Sequence, residues 1–301
     1  MYTKIVVALD GSELSEGILP YARSFAKTLE IPVELLHVVD PDHFLYSVFA
    51  HQGRYYDIMT AEKKRSIDYL SKIATSFSDS TSVDCSVETG NPAEVIVDRA
   101  ASHAGILIAM TTHGRSGIKR WLLGSVAQKV LHAAVSPLFL VRPTEATATR
   151  DTVAPKTLLV PLDGSSLAEK VFPYVVALAK KLSLEVLLFH VYHIPYGVYS
   201  GGDGLYGIDF EELTASVRDE ANDYLDKKIT EMKKLGVEKI SYTTKEGLGA
   251  DEIISLGRKT PDNLIAMCSH GRSGVKRWVL GSVTETVVRH SGEPVLVIRA
   301  T

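Results

Sequence analysis

Two cysteines, Cys85 and Cys268, are all that 301 residues contain, and neither belongs to a C-x-x-C pair. That scarcity excludes a disulfide framework and makes a reducing cytoplasm the expected setting. Charge of one sign is scarce too. The net charge of −3 gives no general attraction to nucleic acid or to an anionic membrane, so neither is an expected partner. No apolar run reaches the roughly 18 residues of a membrane span. The first ten residues turn acidic too early for a signal peptide and read as a first strand. With 45% apolar and 23% charged residues, a soluble globular protein is expected.

Several familiar sites are also missing. There is no G-x-x-x-x-G-K-[ST] phosphate loop and no G-x-G-x-x-G after a first strand. No G-x-S-x-G elbow or H-E-x-x-H helix occurs.

What the chain has is a duplication. The segment from His113 to Val126 returns from His270 to Val283 with two changes, Ile118 to Val275 and Leu122 to Val279. Both exchange one aliphatic side chain for another, while glycine, arginine, serine, lysine and tryptophan keep their order. Core packing alone would not hold that order. Outside the loop, Val7-Ala8-Leu9-Asp10-Gly11-Ser12 matches Val160-Pro161-Leu162-Asp163-Gly164-Ser165, and Leu36-His37-Val38 matches Phe189-His190-Val191. Gly90 matches Gly247 after a small insertion in the second copy. The expected division is a first domain over 1–142, a polar, Thr-rich linker over 143–155, and a second domain over 156–301.

Within the first copy, buried-strand runs alternate with helical periodicity. Strands are expected at 4–10, 33–39, 83–89, 105–110 and 138–142, with the second copy ending in a strand at 295–299. Helices are expected from Ser12 onward, at 57–77, from Pro92 to about 103, and at 125–134. Ser12 suits the first helix as a cap, with Glu13 and Glu16 in its first turn. Pro20 and Pro173 fall inside that helix in each copy and must kink or split it, a bend to fit the sheet being the simpler role. Strict β-α alternation implies an α/β fold with a parallel sheet covered by helices on both faces. Such sheets bind ligands at the carboxyl ends of their strands.

The repeated loop follows the fourth strand and so emerges at that edge. Gly114, Gly117 and Gly124, with Gly271, Gly274 and Gly281 in the second copy, allow close backbone approach. Ser125 and Ser282 stand at the start of the next helix, where they either cap it or donate to an anion. The amides of Val126 and Val283 and the helix dipole favour negative charge there. Arg115 and Arg272, with Lys119 and Arg120, add positive charge. A phosphate site is the chemistry this pattern suits.

On these residues the chain resembles the universal stress protein family in its tandem, two-domain form. Its nucleotide-binding members carry G-x2-G-x9-G-[S/T]. Gly114, Gly124 and Ser125 match the last three landmarks, as do Gly271, Gly281 and Ser282. The first glycine of the pattern is Thr111 in one copy and Cys268 in the other. The resemblance implies two Rossmann-like, adenine nucleotide alpha hydrolase-like domains, each with a five-stranded parallel sheet. It implies ATP as ligand, with ADP or AMP as alternatives and Mg2+ as an accompanying ion. Asp10 and Asp163 would lie at the adenosine end, Val38 and Val191 would offer backbone to the adenine, and the glycine-serine loops would hold the phosphates. The fifth strands would pair inside the chain as a pseudo-dimer, with a homodimer as a further option and a protein partner unidentified.

Simpler roles stand beside these. Asp-Gly-Ser is ordinary turn chemistry. His37 and His190 read as packed side chains, and His113 and His270 as residues that order the loop. Trp121 and Trp278 read as anchors of the loop on its own domain. Cys268 reads as a small buried hydrophobe. The tyrosines and phenylalanines after the second strand (Phe44, Tyr46, Phe49, Tyr55 and Tyr56; Tyr196, Tyr199 and Tyr206) suit a lid, a partner surface or plain packing. No general base is evident, so a nucleotide-binding regulatory protein of the stress response is expected, ahead of a slow ATPase or a nucleotide-independent scaffold.

Overall fold

The computed structural model describes residues 2–42, 55–114, 123–142, 151–194, 210–271 and 280–299. The chain divides into two compact units, Met1–Ala154 and Pro155–Thr301.

In the first unit, strand β1 (Lys4–Leu9) leads through α1 (Glu13–Glu16) and α2 (Leu19–Leu29) to β2 (Val33–Val39). Then come α3 (Tyr55–Ala74), β3 (Val83–Thr89), α4 (Pro92–Ala101), β4 (Ile106–Thr111), α5 (Ser125–Ala133) and β5 (Leu138–Val141). The strands lie in the order β3-β2-β1-β4-β5, all parallel, with Val7 beside Leu35 on one side and beside Ala109 on the other. The chain builds outward from β1 to β3, then crosses to the far side of β1. The crevice between the ends of β1 and β4 is therefore the switch point where such a sheet opens to a ligand.

The second unit repeats the plan. It runs β6 (Thr157–Leu162), a 3-10 turn (Ala168–Val171), α6 (Phe172–Leu182), β7 (Glu185–Tyr192), α7 (Phe210–Lys234) and β8 (Ile240–Glu246). It continues with α8 (Gly249–Lys259), β9 (Asn263–Cys268), α9 (Ser282–His290) and β10 (Val295–Ile298). Its order is β8-β7-β6-β9-β10, again parallel.

The central strands carry the core. Ile5, Val6 and Val7 are fully buried, as are Leu158, Leu159 and Val160 in the second unit. A strand apolar on both faces fits only a sheet covered on both sides. Ser12 caps α1, its hydroxyl accepting from the Ser15 amide at 3.2 Å. Both prolines split the expected first helix rather than bend it. Pro20 falls in the first turn of α2 and Pro173 in that of α6, where the missing N–H has no intrahelical partner to lose. Residues 151–154, expected to be linker, dock on α2. The Arg23 Nε donates to the Asp151 carbonyl at 2.7 Å and the Val153 amide to that of Pro20 at 3.2 Å.

Candidate functional site: a glycine-lined cavity in each unit

The turn after β1 is built by Asp10-Gly11-Ser12. Gly11 adopts φ of +82°, as Gly164 does, a conformation that favours glycine. The Asp10 Oδ1 accepts from the Ser12 amide at 3.0 Å and the Ser12 hydroxyl at 2.6 Å. Asp163 repeats both bonds with Ser165, at 3.0 and 2.6 Å. One carboxylate oxygen is thus committed to the turn. The other, Oδ2, lies against Gly114, where a Cβ would overlap it; Gly271 and Asp163 repeat the arrangement. The expected separation, with Asp10 at one end of a ligand and Gly114 at the other, is replaced by contact. A carboxylate here repels phosphate and suits a hydrogen-bond donor such as a hydroxyl.

The repeated loop is closed at its base. The Gly124 amide donates to the Thr112 carbonyl at 2.8 Å, and the Gly281 amide to that of Ser269 at the same distance. A Cβ on Gly124 would stand 3.0 Å from the Thr112 oxygen and 3.6 Å from the His113 Cα. Glycine is needed here because two backbone segments meet. Gly124 is also the cap residue of α5, and Ser125 is the first helical residue. The alternative role of Ser125 as helix cap is therefore corrected, and that of Ser282 likewise, since Gly281 holds the cap of α9. Glycine has no side chain with which to cap. Neither cap residue supplies a side-chain bond, so the helix N-termini present first-turn amides and the positive end of the helix dipole at this point.

These parts meet in one cavity per unit. The first measures about 410 Å³ and is lined by Asp10, Val38, Gly114, Gly124, Ser125 and Val126, among others. The second measures about 250 Å³ and is lined by Asp163, Val191, Gly271, Gly281, Ser282 and Val283, among others. Arg115, Gly117, Arg272 and Gly274 lie outside the described residues, as do Lys119, Arg120, both tryptophans and, of the expected aromatics, Phe44, Tyr46, Phe49, Tyr196, Tyr199 and Tyr206, whereas Tyr55 and Tyr56 open α3 and Tyr56 is exposed.

The cavities also recruit residues that the motif does not mention. Asp40 after β2, Glu62 on α3, and Pro92 and Ile96 on α4 line the first. Pro92 and Ile96 share a helix face four residues apart, a signal that periodicity could have supplied. Glu62 carries no such signal, because nothing local ties α3 to a loop fifty residues away.

Thr111 and Cys268 replace the first motif glycine, and both are buried. The Thr111 hydroxyl donates to the His113 carbonyl at 2.6 Å. The Cys268 thiol lies 3.4 Å from the Ala168 carbonyl, and burial pushes it up to about 12, which leaves it unreactive. Each polar atom is engaged within the protein. His113 and His270 hold the loop base, their Nδ1 atoms lying 3.0 Å from the Thr112 hydroxyl and 2.9 Å from that of Ser269. Burial lowers both imidazoles below the usual range, helped by Arg142 and Arg299 respectively.

His37 and His190 are packed, each ring against a tyrosine of the long helix at 6.4 and 5.7 Å between centroids. Those tyrosines form a brace absent from the sequence reading. The Tyr69 hydroxyl donates to Glu16 at 3.1 Å and that of Tyr224 to Glu169 at 3.0 Å. Burial, then the neighbouring carboxylate, pushes both phenols well above their ordinary range.

A parallel sheet carrying a cavity and a closed glycine loop at its switch point, twice in one chain, defines the class of protein. The sequence profile of the universal stress protein family matches residues 1–142 and 155–299, and the chain belongs to that family. It is 24% identical over 309 residues to a universal stress protein of Mycobacterium tuberculosis, spanning 98% of this chain and 96% of the relative. A universal stress protein of Methanocaldococcus jannaschii is 29% identical over 144 residues, which is 48% of this chain and 82% of that one. The solved structure of a universal stress protein from Archaeoglobus fulgidus matches the fold with a TM-score of 0.68, over 99% of this chain and 98% of that one, at 23% identity.

Proposed function

We propose that this protein is an adenine-nucleotide-binding regulatory protein of the stress response, with ATP as the leading ligand and ADP or AMP as alternatives. The observation that carries the reading is the cradle at Gly114 and Gly124, repeated at Gly271 and Gly281. At Gly124 and Gly281 a backbone carbonyl borders the space that a Cβ would take, whereas at Gly114 and Gly271 the Asp10 and Asp163 carboxylates do, and helix amides without a side-chain cap open beside Gly124 and Gly281. The Gly124 and Gly281 ends suit the phosphates, Asp10 beside Gly114 suits a sugar hydroxyl, and the end of β2 at Val38 suits the base. Among the described residues no group of three or more His, Cys, Asp or Glu is placed to hold a metal. Mg2+ would therefore arrive with the phosphates.

Bound nucleotide would stabilise one state of its site and so change what a protein partner meets. It can switch only states that it binds unequally. We place the protein in the cytoplasm on its cysteine usage; among the described residues no helix is long and apolar enough to cross a membrane. Pairing of the two final strands, and any homodimer, belong to the same proposal, and light scattering of the purified chain reads the oligomeric state.

The direct test is ATP titration followed by thermal unfolding. ATP should raise the melting temperature of the natural chain and do so less in Gly124→Val, whose fold is checked by circular dichroism. Unchanged affinity in both Gly124→Val and Gly281→Val would refute the site. A phosphate-release assay with the double variant as control separates binding from turnover.

A further inference from the structure

The two cavities share their cradle but not their walls. Asp10, Gly114, Gly124 and Ser125 have identical counterparts in Asp163, Gly271, Gly281 and Ser282, with the same bonds and the same close approaches. The floor differs. Ala8 and Leu36 are register neighbours on β1 and β2 and line the first cavity. Their counterparts Pro161 and Phe189 are register neighbours on β6 and β7 and line the second. Ala127, in the first turn of α5, becomes Thr284 in α9, a buried residue fixed by its hydroxyl donating to the Cys268 carbonyl at 2.8 Å. All three changes add side-chain volume to the cavity lining.

The far end differs as well. Asp40 and Glu62 line the first cavity, whereas among the described residues nothing from α7 lines the second. The volumes follow, about 410 Å³ against about 250 Å³. Sites for ligands of drug size run from roughly 300 Å³ upward.

We propose that the two sites are functionally unequal. The first unit holds a whole nucleotide. The second keeps the phosphate cradle but excludes the nucleoside end, with Pro161 and Phe189 as the residues that set the limit. This rests on the nucleotide reading above and adds a selectivity that the motif, being identical in both units, does not carry. The exclusion is one of shape. Overpacking a filled site weakens binding by about tenfold or more.

Isothermal titration of the full chain with ATP should give one nucleotide per chain. Gly124→Val should remove it and Gly281→Val should leave it. The double variant Pro161→Ala, Phe189→Leu should raise the count to two. Should that variant fail to fold, Leu36→Phe reads the same limit from the other side. It should weaken ATP by about tenfold or more while inorganic tripolyphosphate, used as the probe of the cradle, binds as before. Two sites of equal affinity in the natural chain would overturn the inequality and leave the nucleotide reading standing. No ATP at either site would overturn both.

Discussion

The charged cluster beneath the first sheet and its counterpart in the second unit solve one packing problem in opposite ways. In the first, Glu34 on β2 is buried and meets Lys4 on β1 at 3.3 Å and Arg99 on α4 at 3.2 Å, and Arg99 also pairs with Glu88 on β3. In the second, the matching positions are Thr157, Leu187, Leu256 and Lys245, and Lys245 turns to Glu252 at 3.7 Å instead. A buried ion pair and a well-packed apolar pair are close in free energy, because desolvation offsets the Coulomb gain. The fold therefore tolerates either, while the glycines and serines of the cradle stay the same in both copies. Scaffold positions have physical alternatives. Gly114 and Gly124 have fewer, since a Cβ there meets the Asp10 carboxylate or crowds the Thr112 carbonyl.

The comparison is broken most forcefully at Glu34. Glu34→Leu alone leaves Lys4 and Arg99 without their buried partner and should destabilise the first unit by about 2 kcal/mol, less than a fully buried pair because both cations are a third exposed. Converting all four positions to the second unit's residues should return stability to within about 1 kcal/mol of the natural chain. Urea unfolding of both variants checks this, and equal losses in the two would contradict it.

A smaller contrast lies at the start of the third long helix of each unit. Asn91 caps α4 by accepting from Ala93 and Glu94 at 3.1 and 3.4 Å, whereas Leu248 precedes α8 without a capping side chain. Asn91→Ala should lose about 1 kcal/mol, and Leu248→Asn should gain somewhat less. Thermal melts of the two variants would show shifts of opposite sign. Shifts of the same sign would mean that the caps are not what separates these helices.

The tyrosine brace offers a finer contrast. Tyr224 is supported by Lys228, which donates to Glu169 at 3.0 Å and stands 5.7 Å from the ring centroid, whereas Tyr69 has Ile73 at the matching helical position. Tyr224→Phe and Tyr69→Phe should each lose about 1 kcal/mol, the former also leaving Lys228 its tie to Glu169. Lys228→Met should then weaken the second brace alone, read by the melt of Tyr224→Phe in that background.

The smallest effect depends on pH. His113 and His270 have folded pKa values below their unfolded value of about 6.5, so the unfolded chain takes up these protons first. Their contribution is fully present above about pH 6.5 and is lost as pH falls from there toward the folded pKa. His113→Gln with His270→Gln should flatten stability against pH between 7 and 5. An unchanged slope would assign that dependence to other groups.

Much of this was legible in the sequence because the chain prints its own control. Two copies of a loop with identical polar residues reveal the cradle, and both-face apolar runs such as Ile5 to Val7 reveal the sheet. Glu34 was invisible for a physical reason: a charged residue in a strand reads as exposed until Lys4 and Arg99 arrive from distant elements. Pro20 signalled a break without its form, since a proline suits a bend and a new first turn equally. Ser125 looked like a cap because serine favours that position. Gly124 took it because the Thr112 carbonyl leaves no room for a side chain. The cavity walls at Ala8 and Pro161 carry no motif, and only their register beside Leu36 and Phe189 gives them meaning.

The central claim is that the doubled loop holds an adenine nucleotide. Mass spectrometry of the small molecules released on denaturing the purified, ATP-incubated chain tests it most directly. The account predicts an adenine nucleotide at one per chain in the natural protein and none in Gly124→Val. Natural protein that releases no nucleotide after incubation with millimolar ATP would contradict it.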